Sequence, residues 1–176
     1  MGDINKLYHA MPYPLKVFGA SAYGYYLRGW RYGLDAPKLV EQALERESWS
    51  PKEWKDWREE RLAYVLHRAA NKVPYYREHW RERRRKGDQS SYEILENWPV
   101  LDKEPLRKNP KAFVAEDCNP LLMFHKTTSG TTGKPVQVWK SRKTVREWYA
   151  LFEARWRHWN RVSRYDRWAN IGGRLV

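Results

Sequence analysis

Near residue 120 the apolar periodicity of this chain changes, and few folds accommodate the change. Before it, apolar residues recur at helical spacing between proline and glycine breaks. After it come short extended runs at 121–127 and 135–140, separated by a loop. The pattern predicts an α/β chain, mainly helical over 1–120, with strands beginning over 121–176.

Local signals place the helices. Ser50, Pro51 and Glu53 form a start: a capping hydroxyl, a proline at the first helical position and a carboxylate able to complete a capping box. Leu62, Val65, Leu66, Ala69 and Val73 then make one apolar stripe, and Pro74 stops that helix. A basic helix is expected over 75–86, ending at Gly87 as a C-cap. Short helices are expected at 90–97 and 103–108, separated by Pro99 and stopped by Pro110. Ser141 caps a later helix in which Val145, Trp148, Tyr149, Phe152, Trp156 and Trp159 keep helical spacing. "RWANIGG", 167–173, reads as a buried strand breaking off at paired glycines. Only three residues follow it, so the sequence reads as a chain truncated inside a sheet.

The stretch "HKTTSGTTGKPVQVWKSRKT", 125–144, is dense in small hydroxyls and glycines beside a lysine. Thr127, Thr128, Ser129, Gly130, Thr131, Thr132, Gly133 and Lys134 offer convergent N–H groups, hydroxyl donors and one cation, an inventory that suits phosphate. A polar turn between two strands is the plain alternative. The G-x-x-x-x-G-K-[ST] loop does not fit: Thr128 stands where its first glycine belongs and Pro135 where its magnesium-binding hydroxyl belongs. That loop also leads into a helix, whereas this one joins two extended segments.

Composition bounds the function classes. With 176 residues, 41% hydrophobic and 31% charged, the chain is long enough for one domain or one and a fraction, and has no bias toward general disorder. Cys118 is alone, and His9, His67, His79, His125 and His158 lack zinc-site spacing, so no structural zinc is expected. Cys118 and His125 have no acid/base partner nearby in sequence and read as ordinary strand or loop residues. Lys and Arg number 34 against 21 Asp and Glu, a net +13, with 11 Trp and 12 Tyr. Basic plus aromatic is a combination nucleic-acid binders use, and that is the rival function. "RERRRK", 81–86, reads as the solvated side of a helix. No apolar run reaches 18 residues, so no membrane span is expected. The aromatic stretch 11–33 is interrupted by Lys16 and opened by Pro12 and Pro14, a poor signal peptide. The cytoplasm is the default compartment, and these N-terminal rings are expected to pack over a later part of the protein.

"TTSGTTGKP", 127–135, resembles the phosphate loop of the adenylate-forming superfamily, the acyl- and aryl-CoA ligases. Within it the chain is similar to the phenylacetate–coenzyme A ligase branch, including its CapK-type capsular polysaccharide members. The supporting stretches are "PYPLKVFGASAYGYYLRGWRYG" (12–33), "LAYVLHRAANKVPYYREHW" (62–80), "WPVLDKEPLRKNP" (98–110) and "VSRYDRWANIGG" (162–173). The resemblance implies an ATP-dependent acid–thiol ligase that activates a small carboxylate as an acyl-adenylate and passes it to an acceptor, coenzyme A. It implies that residues 1–176 form part of the N-terminal domain, helices leading into the start of a mixed sheet, without the small C-terminal domain, so that this portion alone is inactive. By motif match, Thr128, Ser129, Thr131, Thr132 and Lys134 hold the ATP phosphates, with Gly130 and Gly133 bending the backbone. Many members carry a second lysine after the loop proline. Here Val136 stands in its place, leaving Lys134 as the loop's only cation. Magnesium is implied, but its acidic partner, the adenine and carboxylate pocket and the catalytic residues fall beyond Val176. No nucleic-acid partner is implied.

Overall fold

The computed structural model describes residue 7 and residues 9–128 and 135–167. They are mostly helical, with one two-stranded antiparallel sheet. The chain divides into two compact units, Ser48–Arg142 and a discontinuous one made of Met1–Glu47 with Lys143–Val176.

In the discontinuous unit, α1 (Tyr13–Arg31) begins behind Pro12 and α2 (Ala36–Glu45) follows a short turn. From the far end of the chain come α3 (Arg142–Phe152) and a π-helical turn, Glu153–Arg157, against which α2 packs. Trp30, Ala36, Ala43, Val145, Ala150 and Ala154 are buried. The expected stripe on α3 is only partly correct: Val145 is inside, but Trp148, Trp156 and Trp159 are about half exposed or more. Alanines take the inner positions because α2 lies close there, and Ala43 and Ala154 retain no exposed surface. An indole between such closely spaced backbones would clash. The guanidinium of Arg146 bonds Asp35 at 2.8 Å and the Gly29 carbonyl, and occupies the space a Cβ on Gly33 would need. Of the N-terminal rings, Trp30 is buried and Tyr32 meets Tyr149 edge-on at 5.6 Å, as expected of rings that pack over a later part, but the others find no such cover among the described residues. Tyr13, Phe18, Tyr23, Tyr25 and Tyr26 on α1 are all largely exposed.

In the continuous unit, α4 (Pro51–Lys72) starts as the sequence predicts. The Ser50 hydroxyl accepts from the Glu53 N–H at 3.3 Å, and the Glu53 carboxylate accepts from the Ser50 N–H at 2.7 Å. Leu66 and Ala70 are the buried positions of α4, and Val65 points outward, a correction to the expected stripe. Val65 lies about 100° around the helix from Leu66, off the side that meets the next helix. Val73 is held extended by the proline after it, and α5 (Pro74–Arg85) begins at once. It closes as a Schellman motif, with Gly87 at φ +82°, the Gly87 N–H on Arg84 and the Asp88 N–H on Arg83.

The helix expected at 90–97 shrinks to one 3-10 turn, Leu95–Asn97. Side chains take the backbone groups a helix would use: Asp88 accepts from the Ser90 N–H, Ser91 from the Glu93 N–H, and Arg84 donates to the carbonyls of Asp88 and Ser90. The arginines of 81–86 are therefore more than a solvated face. Arg83 also bonds Asp88 and the Asn97 carbonyl while lying 4.4 Å from the Trp80 ring centre. A helix at Lys103–Lys108, α6, matches its expected bounds, and 3-10 turns follow at Pro110–Phe113 and Pro120–Leu122. The extended run expected from 121 thus begins later, because Asn119 caps the turn at Leu121. β1 (Phe124–Thr127) pairs with β2 (Gln137–Lys140). Of the strand expected at 167–173, residues 168–173 lie outside the described residues, and Arg167 is in no regular element.

Candidate phosphate-binding hairpin

β1 and β2 are in register as Phe124 with Lys140, His125 with Trp139, Lys126 with Val138 and Thr127 with Gln137. One step beyond, the Thr128 N–H donates to the Val136 carbonyl at 2.9 Å, and the Val136 N–H donates to the Thr128 hydroxyl oxygen at 3.0 Å. This doubled contact fastens the two ends of the glycine-rich segment together. Ser129, Gly130, Thr131, Thr132, Gly133 and Lys134 lie outside the described residues. Thr128 therefore has a role that sequence did not reveal. Its oxygen accepts from the backbone at the neck of the loop, while its hydroxyl hydrogen is free to donate elsewhere. Val136 is buried at 9% exposure, a position that suits an aliphatic side chain and not an ammonium.

The rest of the unit holds the root of this hairpin. "VPYYRE", 73–78, supplies it from α5. Tyr75 stacks on Phe113 at 4.3 Å, and Tyr76 meets Trp98 edge-on at 5.1 Å. Burial raises the Tyr76 phenol above its ordinary pKa. Arg77 bonds both oxygens of Glu116, Arg68 on α4 bonds both oxygens of Asp117, and the Glu116 N–H caps the Lys72 carbonyl at 2.9 Å. Hydrogen bonds from Arg77 hold Glu116, and those from Arg68 hold Asp117, below the usual carboxylate range. The segment that enters β1 is thus clamped to both helices. Sequence reading missed these pairs because their partners lie 39 and 49 residues apart. The only hint was a pair of adjacent acids facing two arginines across the Pro74 break.

His125 lies on β1, exposed, and Cys118 in the loop before it. The His125 ring lies 4.9 Å from Trp139 on the neighbouring strand, and the Cys118 sulfur accepts from Arg68 at 3.4 Å. Among the described residues no three His, Cys, Asp or Glu side chains gather where an ion could sit, so no magnesium ligand is assigned. No helix among them is long and apolar enough to cross a membrane. No protein-family model, curated protein or solved structure matches this chain.

Proposed function

We propose that this chain carries the triphosphate-holding part of an adenylate-forming acid–thiol ligase, similar to the phenylacetate–coenzyme A ligases. The observation that supports it best is the neck at Thr128 and Val136, which brings both ends of a Ser/Thr/Gly/Lys segment together on a hairpin. "VPYYRE" adds support. In the same unit it anchors the segment leading into β1, giving a physical reason for the motif and the loop to occur together.

In this reading ATP presents its β- and γ-phosphates to the loop. Ser129, Thr131 and Thr132 would donate hydroxyl hydrogens, Gly130 and Gly133 would give the backbone its bend, and Lys134 would supply the positive charge that favours pyrophosphate departure as a carboxylate attacks. Magnesium would share that charge, and coenzyme A would accept the acyl group. The substrate is a small carboxylate, and the cytoplasm is the expected setting.

The test is binding of ATP and AMP by calorimetry, with wild type and Lys134→Ala compared. ATP should bind at least about tenfold more tightly than AMP, and Lys134→Ala should weaken ATP about 10- to 150-fold, the range for a hydrogen bond to a charged group. Equal affinities for ATP and AMP, or an unaffected Lys134→Ala, would return the segment to a polar turn. Nucleic-acid binding that falls steeply with salt and is tight at physiological salt would favour the rival reading.

A further inference from the structure

The discontinuous unit contains an open groove of about 950 Å³ between the C-terminal half of α1 and the outer side of α3 with its π-helical turn. One wall is aromatic. Trp148, Phe152 and Trp156 line it, with Trp156 5.3 Å from Phe152 and 6.3 Å from Trp148 between ring centres. Eight residues of ordinary helix advance about 12 Å, so these rings converge beyond what simple helical stacking gives. The π-helical turn at Glu153–Arg157 overlaps that span, and such turns recur at functional sites. Trp148 and Trp156 remain 56% and 48% exposed, leaving indole surface open to a ligand.

The remaining walls are cationic. Among the described residues five arginines line the groove against a single carboxylate, Asp166, which accepts from the Ser163 N–H. Arg28 and Arg167 form no ion pair among the described residues, and Arg31 lies against the Tyr149 ring without a carboxylate partner. Gly24 on α1 contributes open space, since a Cβ there meets nothing within 4 Å.

We propose that this groove binds a nucleotide, with its base on the indole faces of Trp148 and Trp156 and its phosphate on Arg28 and Arg31. Stacking and unpaired guanidinium groups together select a ligand that is planar at one end and anionic at the other. A free nucleotide and one residue of a single strand share that chemistry. The groove is lined by residues of the discontinuous unit alone, and the proposal does not depend on the ligase reading.

The experiment is a titration of the full chain carrying Lys134→Ala, followed by tryptophan fluorescence, with 5′-AMP, adenosine, inorganic phosphate and a short oligoadenylate. AMP lacks the β- and γ-phosphates assigned to the loop, so the outcome is independent of that assignment. AMP should quench the fluorescence and bind at least about tenfold more tightly than adenosine or phosphate, the lower end expected for a charge-assisted bond. Arg28→Glu should weaken it by at least as much, without unfolding, because Arg28 supports no ion pair. Gly24→Phe should abolish binding by filling the groove, with helicity unchanged in circular dichroism. Oligoadenylate binding far more tightly than AMP identifies a strand as the source, and comparable affinities identify the free nucleotide. The proposal fails if neither AMP nor oligoadenylate binds below about 1 mM, a weak limit near 4 kcal/mol. It fails equally if phosphate binds as well as AMP, or if binding survives both Arg28→Glu and Gly24→Phe.

Discussion

Arg77 and Glu116 meet fork to fork, with two nitrogens on two carboxylate oxygens at 2.5 and 2.6 Å, and Arg68 grips Asp117 in the same manner one residue further on. Each arginine belongs to a different helix, so the pair of forks ties α4 and α5 to one short segment. Arg77→Gln and Arg68→Gln should each lower the melting temperature, and the double variant should lower it further. Hydrogen exchange should quicken over 114–123 before it does so in the helices. Arg77→Lys should behave like Arg77→Gln, because an ammonium cannot reproduce the planar two-point contact. Full rescue by lysine would show that charge, and not the fork, matters.

Acid should destabilise the chain in two stages. His79 on α5 has its imidazole pKa lowered from the ordinary 6.5, first by burial and then by nearby Arg83, and its Nε2 is buried without a hydrogen-bond partner. The unfolded chain therefore takes up that proton before the folded one does, and stability falls as pH drops below about 6.5. Asp88 is held well below the carboxylate range, mainly by the Ser90 hydrogen bonds and also by Arg83, and Glu116 and Asp117 are lowered by their arginines. Their contribution is present above the ordinary values of 3.8 and 4.5 and is lost as pH falls through the folded values. Urea midpoints measured from pH 8 to pH 3 should show both stages. His79→Phe should erase the upper one and leave the lower. An upper stage that persists in His79→Phe would assign it to another group.

Trp80 is the centre of the continuous unit, 5% exposed, with Trp98 at 5.5 Å and Tyr92 at 6.1 Å between rings. Its indole N–H is buried without a partner, so the ring contributes by filling space and not by bonding. Trp80→Ala should cost about 3–5 kcal/mol by chemical denaturation, and Trp80→Phe distinctly less. A Trp80→Phe variant as damaged as Trp80→Ala would mean the indole N–H makes a contact after all.

Features set within a few residues were legible in the sequence. The Ser50–Glu53 box, the break at Pro74, the glycine cap at Gly87 and the helix at 103–108 depend on hydroxyl, ring or backbone properties that act locally. Position around a helix was harder to read. Trp148, Trp156 and Trp159 keep helical spacing yet face outward, because tight packing at Ala43 and Ala154 chose small residues for the inside. The stretch 90–97 failed for another reason: Asp88 and Ser91 compete for its backbone. At the candidate loop, the hairpin was legible from its flanking extended runs. The pair of hydrogen bonds at its neck was not, since a threonine suits both a phosphate and a backbone partner.

The division of the chain has a consequence for its synthesis. The unit containing α1 and α2 needs residues from Lys143 onward, so these first helices emerge from the ribosome 95 residues ahead of their partners. At about 5–20 residues per second, that delay lasts roughly 5–20 s. During it the Ser48–Arg142 unit, a continuous stretch of chain, is synthesised whole and can fold. The part made first is therefore finished last, and Trp30 of α1, buried in the finished unit, stays open to cellular chaperones through the interval.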